Sequence, residues 1–118
     1  MEFGRFTRRE KISDKAPCEA VDRAERGLID ADLGSGLIKQ RVARPWQGRS
    51  GGFRTLLAYR TASRTVFVYG FAKSERGNIE PDEREFWRTV AAAYLVMSVD
   101  AIENAIVSDE LKEVLCDA

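Results

Sequence analysis

The fold is decided by residues 37–73, which read LIKQRVARPWQGRSGGFRTLLAYRTASRTVFVYGFAK. Three apolar-rich runs, at 37–43, 53–59 and 65–72, are separated by two short polar stretches. This pattern is typical of an antiparallel meander, and the β-branched and aromatic residues that fill the runs suit a pleated, half-buried surface. We therefore predict an α+β fold built on a small antiparallel sheet of three or four strands.

The same part of the chain is strongly basic. Between Leu33 and Arg76 it has nine basic residues and a single acid, Glu75. The basic residues are Lys39, Arg41, Arg44, Arg49, Arg54, Arg60, Arg64, Lys73 and Arg76. The stretch 44–52 is also rich in glycine and is predicted to be a hairpin loop whose N–H groups and arginines meet phosphates. Such a basic sheet favours a polyanionic ligand.

Length and composition indicate one soluble globular domain, because 118 residues are enough for one modest core and too few for two. No apolar run is long enough to predict a transmembrane helix. Residues 1–14 lack the apolar centre of a signal peptide, so we expect a cytoplasmic protein. Cys18 and Cys116 have no metal-ligand spacing around them and are expected to be free thiols.

The formal net charge of zero conceals an asymmetry. Residues 1–76 carry 16 Lys and Arg and 9 Asp and Glu, whereas residues 77–118 carry 3 and 10. The basic part attracts phosphate and the acidic part repels it, which would confine anions to one side of the molecule. The alternative interpretation of the same charges is a solvated surface without a ligand.

A first helix is predicted before the sheet. Ser13 or Asp14 is placed to cap it, and apolar residues at positions 17, 21, 24 and 28 form one buried stripe. Arg23 falls outside that stripe, and the helix is expected to end near Gly27. Residues 28–36, which mix acids with glycines, are predicted to be a connecting loop.

Two further helices are predicted after the sheet. Pro81, with acids at positions 82 and 83, marks a helix start, and an apolar stripe that includes Phe86 carries this helix to about residue 98. A shorter helix follows over 100–107. We expect the two longer helices to pack on one face of the sheet. The domain would cover 1–118, with its core at 12–98 and a helical extension at 99–118.

Period-2 alternation assigns the strand residues to faces. In the last strand Phe67, Tyr69 and Phe71 share one face, and in the first strand Lys39 and Arg41 lie together. If the helices cover the other face, these cations and rings form a surface of the kind that binds single-stranded RNA. The alternative is that the rings belong to the core.

The available chemistry is narrow. No histidine is present, which removes the usual general base and the serine triad. Carboxylates lie mainly outside the basic segment, which disfavours a magnesium site, and we predict no metal and no cofactor. Lys, Arg and Tyr are sufficient for RNA cleavage by the 2′-OH, which needs charge stabilisation at phosphorus and a proton for the leaving 5′-oxygen.

Residues 27–79 resemble the RelE/HigB family of bacterial toxins. The basic strand LIKQR, the glycine–aromatic step GGFRT and the run FVYGFAK occur together in this stretch, and the likeness is close over 18–79 and looser in the C-terminal helices. Members of the family are compact sheets packed by helices that cleave messenger RNA, commonly on the ribosome. The resemblance therefore implies an endoribonuclease and a cognate antitoxin, expected to be a small helix-turn-helix protein from an adjacent gene.

The resemblance also implies roles for individual residues. Arg54 matches the arginine expected to contact the scissile phosphate, and the first-strand cations position the RNA, with one of them a candidate base. Lys73 or Tyr69 would assist the leaving oxygen, because Ser74 stands where relatives have an arginine and no tyrosine follows near Ile79 to act as the terminal acid or base. The implied catalytic residues are Arg54, Lys39, Arg41, Lys73 and Tyr69, and the implied RNA-binding residues are Arg44, Arg49, Trp46 and Arg76.

A second function stays open at this point. The ParE branch of the same superfamily shares the fold but binds and inhibits a protein such as DNA gyrase, without hydrolytic chemistry. The basic sheet is compatible with both functions.

Overall fold

The computed structural model describes residues 15–44, 48–61, 64–72, 79–114 and 116, with side chains for all of these except 43–44 and 48–52. The helices are α1 (Lys15–Glu25), α2 (Pro81–Val96) and α3 (Val99–Val107). The strands are β1 (Ala31–Gly34), β2 (Leu37–Arg44), β3 (Gly48–Arg60) and β4 (Arg64–Ala72). They form one antiparallel sheet in the order β1-β2-β3-β4, which confirms the predicted α+β class and antiparallel sheet.

Two stretches predicted to be loops contain strand. The first, 28–36, includes the short edge strand β1, which pairs with β2. In the second, 44–52, Arg44 pairs with Gly48 after a register shift that follows Val42. The ladder therefore continues into the glycine-rich stretch, and the loop is shorter than predicted.

One face of the sheet packs against α1 and the other against α2. The buried core on the α1 side consists of Ala20, Ala24, Ile38, Val42, Phe53, Leu57, Tyr59, Phe67 and Ala72. The buried core on the α2 side consists of Leu37, Leu56, Ala58, Val68, Ala91 and Leu95. Neighbouring residues of a strand point to opposite faces, and Leu56 and Leu57 are both fully buried, one in each core.

The expected packing of both long helices on one face is therefore wrong. The physical reason is that β3 is apolar on both sides, since 53–59 reads FRTLLAY. A strand buried on two faces has a near-continuous apolar run instead of a clean alternation, and such a strand requires a cover on each side.

A bulge in β4 alters the predicted faces of its aromatic residues. Leu56 lies opposite Tyr69, but the next residue, Leu57, lies opposite Phe67. The extra residue between the two partners, Val68, shifts the alternation. Phe67 consequently joins the core under α1, whereas Tyr69 packs on the α2 side, so the prediction that the two rings share a face is wrong.

The end of α1 differs from its predicted stripe. Gly27 has a positive φ of 83°, and its N–H donates to Ala24 O at 2.9 Å while Leu28 N donates to Arg23 O at 2.8 Å. This pair of bonds is a Schellman motif, which ends the helix at a glycine. Leu28, expected to be buried, lies beyond this turn and is 54% exposed.

Arg23 is buried, contrary to the prediction that it lies away from the packed stripe. Its side chain is 4% exposed, with an ion pair to Glu19 at 3.4 Å and another to Asp30 at 3.8 Å. Its guanidinium also donates a hydrogen bond to the carbonyl oxygen of Arg41. Because a buried charge is tolerated only when it is paired, these contacts fix α1 against β2.

Asp30 joins this buried arginine to the sheet surface. Its carboxylate accepts a hydrogen bond from Arg41 N at 2.7 Å and lies 3.4 Å from Arg41 Nε. Burial raises the pKa of the Asp30 carboxyl, but the hydrogen bonds and charge of Arg41 and the charge of Arg23 outweigh it, so its pKa lies below the ordinary value. The carboxylate is therefore stabilised in its charged form.

Gln40 is a second buried polar link between α1 and the sheet. It is fully buried, and its Nε2 donates to Ala20 O at 3.0 Å and to Leu28 O at 3.2 Å. Its Oε1 accepts a hydrogen bond from Asp30 N at 2.7 Å. Its hydrogen bonds therefore hold both α1 and the segment that connects α1 to β1.

The two cysteines form a disulfide, so the expectation of free thiols is wrong. Cys18 and Cys116 are bridged across a sequence separation of 98, with their Cα atoms 5.7 Å apart. The residues after α3 therefore return to α1. On the way Leu111 is buried, and its backbone N–H donates to Ala105 O at 3.0 Å. Sequence spacing alone carries no information on such proximity.

In the part of the chain that the structure describes, no single helix is long and apolar enough to cross a membrane. Only α2 and α3 taken together, which are bent by 109° at their junction, reach the required length and composition.

A comparison of Gly36→Ala with Gly27→Ala should distinguish the destabilisation caused by backbone strain from that caused by overpacking of the core. Both glycines have φ of +83°, a conformation that costs an L-residue about 1–2 kcal/mol. A Cβ at Gly36 would collide with Cδ1 of the buried Leu95, whereas one at Gly27 has no atom of the described residues within 4 Å. We expect Gly36→Ala to lower the free energy of unfolding by about 1–3 kcal/mol more than Gly27→Ala in urea denaturation. Equal losses would contradict the contact between Gly36 and Leu95.

Asp30→Asn should reduce the acid sensitivity of the fold. The unfolded aspartate has a pKa of about 3.9 and the folded one a lower pKa, so Asp30 contributes stability above about pH 4 that is lost as pH falls through its folded pKa. For an ion pair that solvent reaches, we expect a contribution below about 1 kcal/mol.

The measurement is the difference in the free energy of unfolding between parent and Asp30→Asn from pH 7 to pH 3, which should shrink on acidification. Asp32→Asn is the matched control, because Asp32 accepts its hydrogen bond from Gly34 N at 2.9 Å. A difference that stays constant with pH would contradict the charge-stabilised carboxylate.

Candidate nucleic-acid interface

Two rows of side chains cross the sheet on the α2 side. The antiparallel register aligns Lys39, Leu56 and Tyr69 in one row and Arg41, Arg54 and Phe71 in the next. Directly opposed residues of paired strands point to the same face. Lys39, Arg41, Arg54 and Tyr69 are therefore brought to one surface, which we call the basic face.

Helix α2 covers only part of this side of the sheet. Ala91 and Leu95 pack over Leu37, Leu56 and Ala58. The row that contains the two arginines is more open, and the Arg41 side chain is 41% exposed. The basic face is thus partly covered by α2 at Tyr69 and open at Arg41.

Arg41 and Arg54 form a like-charged pair across β2 and β3. Their Cα atoms are directly opposed in the register, an arrangement that destabilises a sheet because the charges repel. Asp30 neutralises Arg41 from the β1 side. Arg54 Nη1 is buried and has no hydrogen-bond partner within the described part of the chain.

An unsatisfied buried N–H group of this kind requires an explanation in a native structure. The guanidinium of Arg54 is a planar fork that bonds two oxygens of a phosphate or carboxylate at once. An anion between Arg54 and Arg41 would satisfy Nη1 and relieve the repulsion between the two cations. The geometry therefore suits an anion on the basic face.

Two arginines of the basic segment stabilise α2 and do not contribute to the basic face. Arg60 Nη2 donates to Leu95 O at 2.7 Å. Arg64 Nη1 donates to Tyr94 O at 2.8 Å and to Met97 O at 2.5 Å. These carbonyls lie at the C-terminal end of α2, where they have no partner inside the helix and where the helix dipole favours a cation.

Aromatic rings continue the basic face toward the start of α2. The Tyr69 ring lies 5.9 Å from Phe71 and is stacked on Trp87 at 5.1 Å, with an interplanar angle of 21°. Trp87 in turn meets the edge of Phe86 at 4.9 Å and 78°. Tyr69, a predicted proton donor, is half-buried and fixed by Trp87 within this row.

Sequence reasoning missed the roles of Phe86 and Trp87. Phe86 was predicted on the apolar stripe of this helix, without a role at the site; it is 58% exposed, and Trp87 makes the contact with the sheet. Adjacent residues of a helix point about 100° apart, so two neighbouring aromatic residues cannot both face one sheet. That adjacency was the available signal.

The remaining predicted site residues are only partly located. The backbone of Arg44 lies on β2 and that of Arg49 on β3, while their side chains lie outside the described residues. Trp46, Lys73 and Arg76 also lie outside them. Among the residues that are described, no group of three or more His, Cys, Asp or Glu side chains could hold a metal ion.

Comparisons with known proteins give one match. The family model described as "RelE toxin of RelE / RelB toxin-antitoxin system" matches residues 1–114. No curated protein and no solved structure matches the chain.

The family match covers nearly the whole chain and agrees with the four-stranded antiparallel sheet and its helices. It implies an antitoxin as partner, since the family is the toxin half of a two-component system. The chain belongs to the RelE toxin family of toxin–antitoxin systems.

Proposed function

We propose that this toxin is an endoribonuclease that cleaves messenger RNA without a metal ion. The observation that carries the proposal is the arginine pair of the basic face. Arg54 has a buried Nη1 without a hydrogen-bond partner among the described residues and lies directly opposite Arg41. A phosphate diester supplies the anionic oxygens that such a pair accommodates.

In the proposed reaction the ribose 2′-oxygen attacks the adjacent phosphorus as its proton passes to a base. The bond from phosphorus to the 5′-oxygen breaks, and that oxygen takes up a proton, which leaves a 2′,3′-cyclic phosphate and a 5′-hydroxyl. Arg54 stabilises the charge that develops on the non-bridging oxygens. A guanidinium group has only N–H donors and no acceptor for a proton, so Arg41 positions the strand and Lys39 is the candidate base.

The proton for the leaving oxygen is assigned to Lys73 or Tyr69. The position of Tyr69 on the basic face, stacked on Trp87, supports it as one of the two candidates. We place the reaction in the cytoplasm, where messenger RNA is translated, on messenger RNA that is either free or bound to the ribosome. Arg44, Arg49, Trp46 and Arg76 are proposed to contact the RNA on either side of the scissile phosphate.

Arg54→Ala and Arg54→Lys should both impair cleavage strongly. Loss of a group that stabilises transition-state charge costs roughly 3 kcal/mol, about a hundredfold in rate. Lysine cannot reproduce the planar fork, so the two variants should be similarly slow while thermal unfolding remains close to that of the parent. Growth arrest on induction and primer-extension mapping of cuts in cellular messenger RNA provide the measurement.

Arg26→Ala is the matched control, because it removes the same charge from the exposed end of α1, where Arg26 pairs with Asp22 at 3.2 Å. Unchanged cleavage in Arg54→Ala would remove Arg54 from the mechanism. Growth arrest by the parent without any RNA cleavage would instead favour the alternative function, binding and inhibition of a protein such as DNA gyrase.

The antitoxin is proposed to be a small helix-turn-helix protein from the adjacent gene, with an acidic segment that covers Lys39, Arg41 and Arg54. Attraction between opposite charges accelerates association and is screened by salt. We expect the association rate, measured by stopped-flow fluorescence, to fall as ionic strength rises, and Arg41→Ala to weaken that dependence. A rate independent of salt, or no complex on co-expression with the neighbouring gene product, would count against this partner.

A further inference from the structure

The aromatic row reaches from the arginine pair to an exposed ring. Phe71 lies directly opposite Arg54 in the register. From Phe71 the rings follow one another through Tyr69 and Trp87 to Phe86, with centroid separations of 5.9, 5.1 and 4.9 Å. The row therefore links the proposed phosphate site on the sheet to the first turns of α2.

Solvent exposure increases along this row from Phe71 to Phe86. Phe71 is buried at 3% exposure and Phe86 is open at 58%, while Tyr69 and Trp87 between them are half-buried. Trp87 is held between the stacked ring of Tyr69 and the edge of Phe86. An exposed ring with a rigid aromatic support loses little conformational freedom when a flat ligand stacks on it.

The bases of single-stranded RNA are flat ligands that can stack on an exposed ring. Every base has a π-face, and proteins bind unpaired strands by combining basic side chains that follow the backbone with aromatic rings on which bases stack. The basic face has its cations and its exposed ring on the same side of the sheet. A strand whose phosphate lies at Arg54 can thus place a base on Phe86, the exposed ring at the end of the row.

We propose that Phe86 is a base-stacking residue for the RNA and that Trp87 is the positioning residue that orients it. The inference rests on the proposed function and deepens it, because it identifies how a nucleotide further along the strand from the scissile phosphate is held. Stacking acts on the bound strand before and during the reaction alike. Its loss should therefore raise KM more than it lowers kcat.

The variants that test the inference distinguish the contribution of a flat ring to RNA binding from that of apolar surface alone. Phe86→Leu keeps an apolar side chain without a ring, and Phe86→Tyr keeps the ring. Val96→Ser is the control on the same helix, because Val96 is 78% exposed at the end of α2 away from the aromatic row. Trp87→Phe shortens the support while it preserves an aromatic side chain against Tyr69.

The experiment uses the full chain with a single-stranded RNA in which a 2′-deoxy substitution at the cut site prevents cleavage. Binding is measured by fluorescence anisotropy, and kcat and KM are measured on the matched cleavable RNA. We expect Phe86→Leu to weaken binding roughly tenfold and Trp87→Phe to weaken it less. Phe86→Tyr, which retains the ring, should restore most of the affinity lost in Phe86→Leu, and Val96→Ser should behave like the parent. Thermal unfolding of each variant verifies the fold.

RNA affinity of Phe86→Leu equal to that of the parent would overturn the inference while the proposed nuclease function stands. A loss of antitoxin affinity in Phe86→Leu with unchanged RNA affinity would also overturn it, since Phe86 would then belong to a protein-docking surface. If the unsubstituted protein neither binds nor cleaves RNA, the proposed nuclease function is wrong. This outcome is distinguishable from failure of the Phe86 inference, because it is seen in the parent and does not depend on any variant.

Discussion

The pairing of β2 with β3 is the constraint on which the rest of this structure depends. It aligns Leu37 with Ala58 and Arg41 with Arg54, and a slip by one residue would turn every side chain of one strand to the other face. Both cores would then lose their apolar residues, and the basic face would lose its arginine pair. Packing on two sides thus fixes the position of the charges, because the core under α1 takes Ile38, Val42 and Leu57 from the two strands and the core under α2 takes Leu37, Leu56 and Ala58.

Arginine serves two purposes in this chain, and hydrogen-bond acceptors distinguish them. Arg23, Arg60, Arg64 and Arg88 donate to backbone carbonyls and hold helices against the sheet. Arg54 has a buried nitrogen with no acceptor among the described residues and lies next to a second cation. The buried Nε of Arg23 also lacks a hydrogen bond, but it lies 3.4 Å from the Glu19 carboxylate. A sheet that keeps two like charges opposed forgoes some stability, and such local conflicts are expected where a protein binds its ligand.

The sequence was sufficient for the α+β class, the meander, the start of α2 at Pro81 and the common face of Lys39 and Arg41, because each depends on local periodicity or a cap. Four features depended on tertiary contacts. The Val68 bulge moved Phe67 to the other core, the two-sided burial of β3 placed the helices on opposite faces, burial of Arg23 required Asp30, and the disulfide required the tail to return to α1. The periodicity of apolar residues along the sequence does not predict any of these four features.

The bridge between Cys18 and Cys116 makes a covalent ring of the chain between them, which includes all four strands, α2 and α3. A protease that cuts one peptide bond in a turn of this ring opens it without releasing a fragment, since both pieces remain joined through sulfur. The pieces then find one another within a single molecule, at an effective concentration set by the tether instead of by the solution. The oxidised domain should therefore survive a single nick as one particle, and separate only when a thiol reductant is added.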